Sequence, residues 1–210
     1  METAPAISKY VVGLGNPGRR YRDTRHNVGF MVLKELRRRW DFGRARSRFH
    51  SRVWTGRIGA CGVALVAPQT YMNDSGTAVA ELVNFYKLDL TDLLVVMDDL
   101  ALPPGRLRAR AKGSAGGHKG LGDVLRALGT ETVARLRVGI GPPPEYMDSI
   151  AYVLGTFSED EWAVMAPAIA RAADAVETWV TNGIGEVMNR FNRQDTGLDE
   201  PHEQEGKGSS

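Results

Sequence analysis

The chain has 210 residues and a formal net charge of +2; hydrophobic residues make up 42% and charged residues 25%, ordinary globular usage that excludes a disordered chain, a collagen-like repeat and a coiled coil. At about one and a half times the ~150-residue prior for one domain, a single domain is the expectation. No run approaches the ~18 apolar residues of a membrane helix, the acidic start Met1-Glu2-Thr3-Ala4-Pro5 does not read as a signal peptide, and with Cys61 the only cysteine a disulfide framework is impossible and a reducing, cytoplasmic setting is expected.

The modest net charge conceals an asymmetry. Residues 1–137 hold 23 Lys+Arg against 12 Asp+Glu, an excess of +11, whereas residues 138–210 hold 4 against 13, an excess of −9. Such a split points the first two-thirds of the chain toward a polyanionic partner. Arg outnumbers Lys 21 to 6, and a guanidinium suits two-pronged phosphate contacts. A solvated charged face is the plainer reading, and charge alone leaves both open.

Residues 9–14 predict a short buried strand, followed by a polar loop through Asn27. From 28 to 40 the apolar spacing is helical, with Asn27 as N-cap. Residues 49–58 and 62–67 read as a strand pair turning at Gly59–Cys61, with Pro68 ending the second strand. Residues 76–87 form an amphipathic helix capped by Ser75 or Asp74. The unbroken apolar run Leu93–Met97 predicts a central strand buried on both faces. Over 106–112, Arg106, Arg108, Arg110 and Lys112 alternate with Leu107, Ala109 and Ala111, so the four cations share one face of a strand. Residues 119–128 read as a helix and 136–140 as a strand. Pro142-Pro143-Pro144 forms a turn. Ser158-Glu159-Asp160-Glu161 matches a capping box that opens a helix to about 181, with a break or kink expected at Pro167 and an end at Gly183. A short helix follows over about 185–192. Apolar residues nearly vanish after Asp195, so 196–210 is expected to be a flexible polar tail. Strands alternating with helices predict an α/β layered sheet.

Gly13-Leu14-Gly15-Asn16-Pro17-Gly18 formally matches the dinucleotide-binding pattern G-x-G-x-x-G. That pattern requires a helix to start within it and an acidic residue at the end of a second strand. Here a long polar loop follows, and Glu35 falls within a predicted helix, so a dinucleotide cofactor is disfavoured. Leu93–Met97 followed by Asp98-Asp99 looks like a nucleotide-hydrolase strand, but no G-x-x-x-x-G-K-[ST] phosphate cradle exists. Asp98 remains a candidate because ligands in open α/β sheets bind at the carboxyl ends of strands. There is no H-E-x-x-H, no cysteine pair and no G-x-S-x-G, which leaves neither a metal spacing nor a serine-nucleophile elbow. Two histidines sit beside glycine-rich segments: His26, close after the first, and His118, directly after Gly113-Ser114-Ala115-Gly116-Gly117. A base such as His26, oriented by a carboxylate and acting on water, is one chemistry these residues allow.

Five segments together resemble the bacterial-type peptidyl-tRNA hydrolase family. They are Val12-Gly13-Leu14-Gly15-Asn16-Pro17-Gly18 with Tyr21 and Thr24-Arg25-His26-Asn27-Val28-Gly29; Tyr71-Met72-Asn73-Asp74-Ser75-Gly76; Asp98-Asp99-Leu100 with Leu102-Pro103-Pro104-Gly105; Lys112–His118; and Arg135-Leu136-Arg137-Val138-Gly139-Ile140-Gly141. The likeness spans residues 9–193 and leaves outside it an N-terminal extension, 1–8, and the tail. It implies a single-domain, three-layer α/β/α protein with a mixed, largely parallel twisted sheet, monomeric and without a cofactor or metal. It also implies hydrolysis of the ester between a peptide and the 3′-terminal ribose of tRNA, recycling peptidyl-tRNA released from ribosomes. By resemblance His26 is the base, Asp98 holds its tautomer, and Asn16 grips the peptide near the ester and helps reject unblocked aminoacyl-tRNA. Asn73 positions substrate or water, flanked by Tyr21, Tyr71 and Met72, while His118 and Arg137 contact substrate or tRNA. Arg110, with the rest of the basic strand face, would hold tRNA phosphates without reading sequence, and the partner implied is the acceptor end and 3′ CCA of peptidyl-tRNA. Three positions depart from the usual family residues: Met97 for His, Ala101 for Asp, and Lys119 for a substrate-binding Asn. A non-catalytic RNA-binding relative, such as a splicing factor of the same fold, is the alternative; it needs none of Asn16, His26, Asn73 and Asp98.

Overall fold

Seven strands form one sheet in the order β2-β3-β4-β1-β5-β7-β6 in the computed structural model, which describes residues 6–193. The strands are β1 (Ile7–Gly13), β2 (Arg46–Arg48), β3 (Ser51–Ile58), β4 (Cys61–Pro68), β5 (Leu93–Asp99), β6 (Leu107–Arg110) and β7 (Ala134–Gly139). The four inner strands β4, β1, β5 and β7 are parallel, and the outer pairs β2–β3, β3–β4 and β6–β7 are antiparallel. Every residue of β5 is buried, as its continuous apolar run requires when helices cover both faces.

The helices are α1 (Val28–Arg39), α2 (Ser75–Tyr86), α3 (Lys119–Leu128), α4 (Ser149–Leu154) and α5 (Glu159–Phe191). One apolar core gathers Val32, Leu36, Trp179 and Val176 from α1 and α5 against Val11, Leu65 and Leu94 of the sheet. A second packs Val79, Leu82, Leu121 and Val124 from α2 and α3 against Val12, Val66 and Val95. Adjacent β1 residues thus feed opposite cores, as the two-residue period of a strand dictates. The result is the expected three-layer α/β/α domain with a mixed, largely parallel sheet.

Several details differ from the sequence reading. Strand β1 begins at Ile7, inside the expected extension 1–8, where Ile7 pairs with Gly62. The tail expected over 196–210 lies outside the described residues. Strand β2 and helix α4 are additions. The helical dihedrals of α5 fail at Gly183 (φ 79°), not at Pro167. Pro167 deprives only the Ala163 carbonyl of a donor, and both residues face solvent, so water satisfies the freed group. Arg106 leaves the basic face: its guanidinium donates to the Asn192 carbonyl at 2.5 Å.

Candidate active site

The site forms where the carboxyl ends of β1, β4 and β5 converge, the edge at which open α/β sheets place their ligands. Strand β1 leads into Asn16, β4 into Tyr71–Asn73, and β5 ends on Asp98 and Asp99. A close approach of backbone brings the His26 segment to the same edge. A Cβ on Gly29 would collide with the backbone of Leu14 and Val96, so only glycine lets α1 start flush against β1 and β5. Gly13 of the glycine-rich turn serves the same approach from the strand side, since a Cβ there would meet the Gly29 carbonyl.

His26 lies on a 3₁₀ turn, Arg25–Asn27, just ahead of α1. Its Nδ1 stands 2.9 and 3.0 Å from the two carboxylate oxygens of Asp98. His118 approaches the same carboxylate from the other side, with Nε2 3.1 Å from Oδ1. The proton positions follow from a third bond. The Leu121 backbone N–H donates to His118 Nδ1 at 3.1 Å as part of the N-cap of α3, so neutral His118 carries its proton on Nε2 and donates it to Asp98. Asp98, buried, accepts from both rings. Burial pushes its carboxyl pKa up, but the two imidazoles donating to it, His118 first and His26 second, outweigh burial and hold it well below the usual carboxylate range. With Nδ1–H committed to Asp98, the Nε2 lone pair of His26 is left without a protein partner among the described residues, and His26 lines the cavity.

His26, Asp98 and His118 also form the only group of three metal-ligating side chains among the described residues, their ligand atoms lying within 4.8 Å of one another. The hydrogen bonds account for that proximity: each imidazole nitrogen facing Asp98 carries a proton toward it.

Asn16 is held on three sides. The Met72 N–H donates to its Oδ1 at 2.8 Å. Its own backbone N–H donates to Asn27 Oδ1 at 2.8 Å, and Asn27 Nδ2 donates to its carbonyl at 3.0 Å. Asn27 occupies the N-cap position of α1, but its side chain makes no cap bond; it pins Asn16 instead. With Oδ1 occupied, Asn16 offers the cavity only the two N–H donors of Nδ2.

The cavity these residues line has a volume of about 490 Å³. Met97, Leu100, Ile150, Val153 and Leu154 give it an apolar wall, and Asn16, Asn73, Tyr71, His118, Lys119 and Arg137 its polar part. Lys119 is exposed, is the first residue of α3, and makes no ion pair among the described residues. Arg137 directs its Nε to Asp99 Oδ2, so its charge is largely met within the protein. Tyr21 and Arg110 do not line the cavity: Tyr21 lies on the preceding 3₁₀ turn under the Arg20 guanidinium, and Arg110 is exposed on the outer strand β6.

Two arginines that the sequence reading did not single out position this machinery. Arg135 is buried, and its guanidinium donates to the carbonyls of Val133, Gly113, Ser114 and Glu131 at 2.6–3.2 Å. It thereby anchors the glycine loop that leads to His118. Arg25, next to His26, pairs with Glu161 at 2.6 Å and donates to the Tyr152 carbonyl at 3.2 Å, tying the His26 turn to α4 and α5. An arginine between the apolar residues of a central strand was the signal available for Arg135; nothing in the spacing marks Arg25.

Comparison with known proteins identifies the family. A family model described as peptidyl-tRNA hydrolase matches residues 10–199. The peptidyl-tRNA hydrolase of Syntrophomonas wolfei is 50% identical over 184 residues, covering 88% of this chain and 100% of the relative. That of Bacillus pumilus is 48% identical over 183 residues, covering 87% and 97%. A crystal structure of peptidyl-tRNA hydrolase from Acinetobacter baumannii superimposes with a TM-score of 0.82 at 34% identity, covering 89% of this chain and 96% of that one.

Proposed function

The chain belongs to the peptidyl-tRNA hydrolase family and hydrolyses peptidyl-tRNA; we propose that it does so with a water activated by His26, at the ester joining the peptide to the 3′-terminal ribose. His26 Nε2 takes a proton from water as the oxygen attacks the ester carbonyl, and Asp98 stabilises the imidazolium that forms. The tetrahedral intermediate carries a negative oxygen. The Asn16 Nδ2 donors support it or the adjacent peptide carbonyl, since they are fixed in place before substrate arrives. Collapse breaks the bond to the ribose oxygen, which receives the proton back from His26 Nε2. The products are a peptide acid and a free tRNA 3′ end. No covalent enzyme intermediate is required, because an ester is activated enough for direct attack by water.

The observation that carries this reading is the pair of hydrogen bonds to Asp98, which fix His26 Nδ1 as donor and leave Nε2 as a base facing the cavity. RNA binding alone would require none of it. Asn73, Tyr71 and Met72 border the place of the ester, and Lys119 and Arg137 the rim. The exposed Arg108 and Arg110 of β6 hold phosphates of the tRNA acceptor end. We take the enzyme to act as a monomer, in the cytoplasm and without a cofactor; among the described residues no helix is long and apolar enough to cross a membrane.

The test is release of tRNA from N-acetyl-aminoacyl-tRNA. His26→Ala should lower kcat by about 10²–10⁴-fold, the usual contribution of a general base, while tRNA binding is retained. Near-normal turnover by this variant would refute the assignment.

A further inference from the structure

Asn16 and Asn27 border a second cleft, of about 520 Å³, lined also by residues of α1 and β3 and not by Asp98. Its chemistry is opposite to that of the catalytic cavity. Arg19, Arg22, Lys34, Arg37 and Arg52 line it, against one carboxylate, Asp23. None of the five cations forms an ion pair within the described residues, whereas Arg25 and Arg39 nearby in sequence are each paired with glutamate. Arg37 and Arg52 lie over the ring of the buried Trp54, with guanidinium carbons 4.4 and 5.3 Å from its centroid. Burial and the facing Arg52 charge both push the Arg37 guanidinium pKa down. Two like charges held side by side on a rigid aromatic, without a counter-ion, form a preorganised receptor for an anion: their mutual repulsion is relieved when one binds.

The substrate of this enzyme has two halves of different character, joined at the scissile ester. The peptide half suits the apolar wall of Met97, Leu100, Ile150 and Val153. The RNA half brings a phosphate at every internucleotide link. Asn16 borders both spaces. We propose that the second cleft holds the last internucleotide phosphates of the RNA 3′ strand, so that the ester lies at Asn16 with peptide on one side and RNA tail on the other. This rests on the hydrolase reading and extends it: the tail has its own binding site, separate from the β6 face that meets the tRNA body.

Three substrates separate the possibilities: an N-acetyl-aminoacyl ester of adenosine, which has no internucleotide phosphate; the same ester on the trinucleotide CCA; and the same ester on full-length tRNA. The variant Arg37→Gln/Arg52→Gln removes both charges and keeps side-chain stems over Trp54. It should raise KM severalfold for the trinucleotide and the full-length substrate, with kcat unchanged, and leave the adenosine ester unaffected. For the trinucleotide, the slope of log affinity against log salt should fall by about 1.4, at ~0.7 per single-strand phosphate contact. An equal effect on all three substrates would mean the cleft acts only by shaping Asn16, and an effect confined to full-length tRNA would mean it meets the tRNA body; either result, or no effect, overturns the proposal. His26→Ala, run in parallel, should lower turnover of all three by about 10²–10⁴-fold; near-normal turnover would mean that the hydrolase mechanism fails whatever the cleft binds.

Discussion

The catalytic cavity and the basic surfaces around it solve opposite problems. In the cavity, polar groups are satisfied by other protein groups before substrate arrives: Asp98 by two imidazoles, His118 by the Leu121 N–H, and Asn16 by Met72 and Asn27. On the β6 face and in the Arg37/Arg52 cleft, charges are left unspent. The difference teaches that position and charge are separate resources here. The inner network fixes where a proton and an oxyanion go, so disturbing it should act on kcat. The outer cations wait for an anion, so disturbing them should act on KM and on salt dependence.

Asp98→Asn should break the inner network most completely short of removing His26. An amide has one oxygen to accept from two ring N–H groups, and its NH₂ forces one ring into the other tautomer. If that ring is His26, Nε2 carries the proton and cannot act as base. Turnover should fall by about 10²–10⁴-fold with the fold retained. The variant has a second readout. Because the folded-state pKa of Asp98 lies below its unfolded value of about 3.9, its contribution to stability is fully present above that value and is lost as pH falls through the folded one. Asp98→Asn should therefore flatten the acid limb of an unfolding-midpoint-against-pH curve below about pH 4. An unchanged limb would show that other carboxylates dominate it.

Asn16→Ala comes next, at about 10²-fold in kcat, the typical worth of one preorganised oxyanion donor. It should also narrow the preference for N-blocked over unblocked aminoacyl-tRNA. A donor aimed at the carbonyl of the blocking group has no partner when that group is absent, and sites built to bond a polar group reject analogues that lack it. If the ratio of the two rates is unchanged, discrimination lies elsewhere.

How far this contrast can be read from sequence depends on which forces leave a periodic trace. Alternating and continuous apolar runs mark β3, β4 and β5, and the Ser158–Glu161 capping box marks the start of α5, because these depend on neighbours in the chain. Strand β2 is Arg-Ser-Arg, all exposed, with no apolar face to betray it. Helix α4 has six residues, too few for a helical period, although Asp148 capping Ile150 and Ala151 was a local signal. The exchange of hydrogen bonds between Asn16 and Asn27 leaves no mark in either residue's surroundings, and Asn27 sits where a helix cap belongs. Strand position and residue type made Asp98 and His26 candidates and the family likeness supplied their roles; their proton arrangement needed the Leu121 bond, which only the fold creates.

The outer region should respond more gently. Arg108→Ala with Arg110→Ala should reduce the salt slope for full-length tRNA by about one unit per lost phosphate contact and leave a substrate without the tRNA body unaffected. An unchanged slope would place the phosphates elsewhere. The smallest effect is expected at Lys119, where the two regions meet. Its ammonium can only donate and carries charge, and its long stem lets it reach away from the cavity. Lys119→Asn should raise KM a fewfold at low salt with kcat equal or better, and added salt should erase the difference, since only the parent loses a screened attraction. Equal KM at every salt concentration would make Lys119 a solvated surface residue.

Strand β6 is the last in the sheet, and its outward backbone groups at Ala109 would be free to recruit another strand. They are not: Asn192 Oδ1 accepts from the Ala109 N–H at 2.7 Å, and Asn192 Nδ2 donates to the Ala109 carbonyl at 2.9 Å. One side-chain amide thus imitates a neighbouring strand, while the Asn192 carbonyl holds Arg106. Residue 192 is synthesised 83 positions after residue 109, so during translation the border of the sheet stays open until nearly all of the domain has emerged. A nascent chain of this enzyme carries an unsealed, arginine-rich strand past the ribosome's own RNA, and its protection against sticking to itself arrives last.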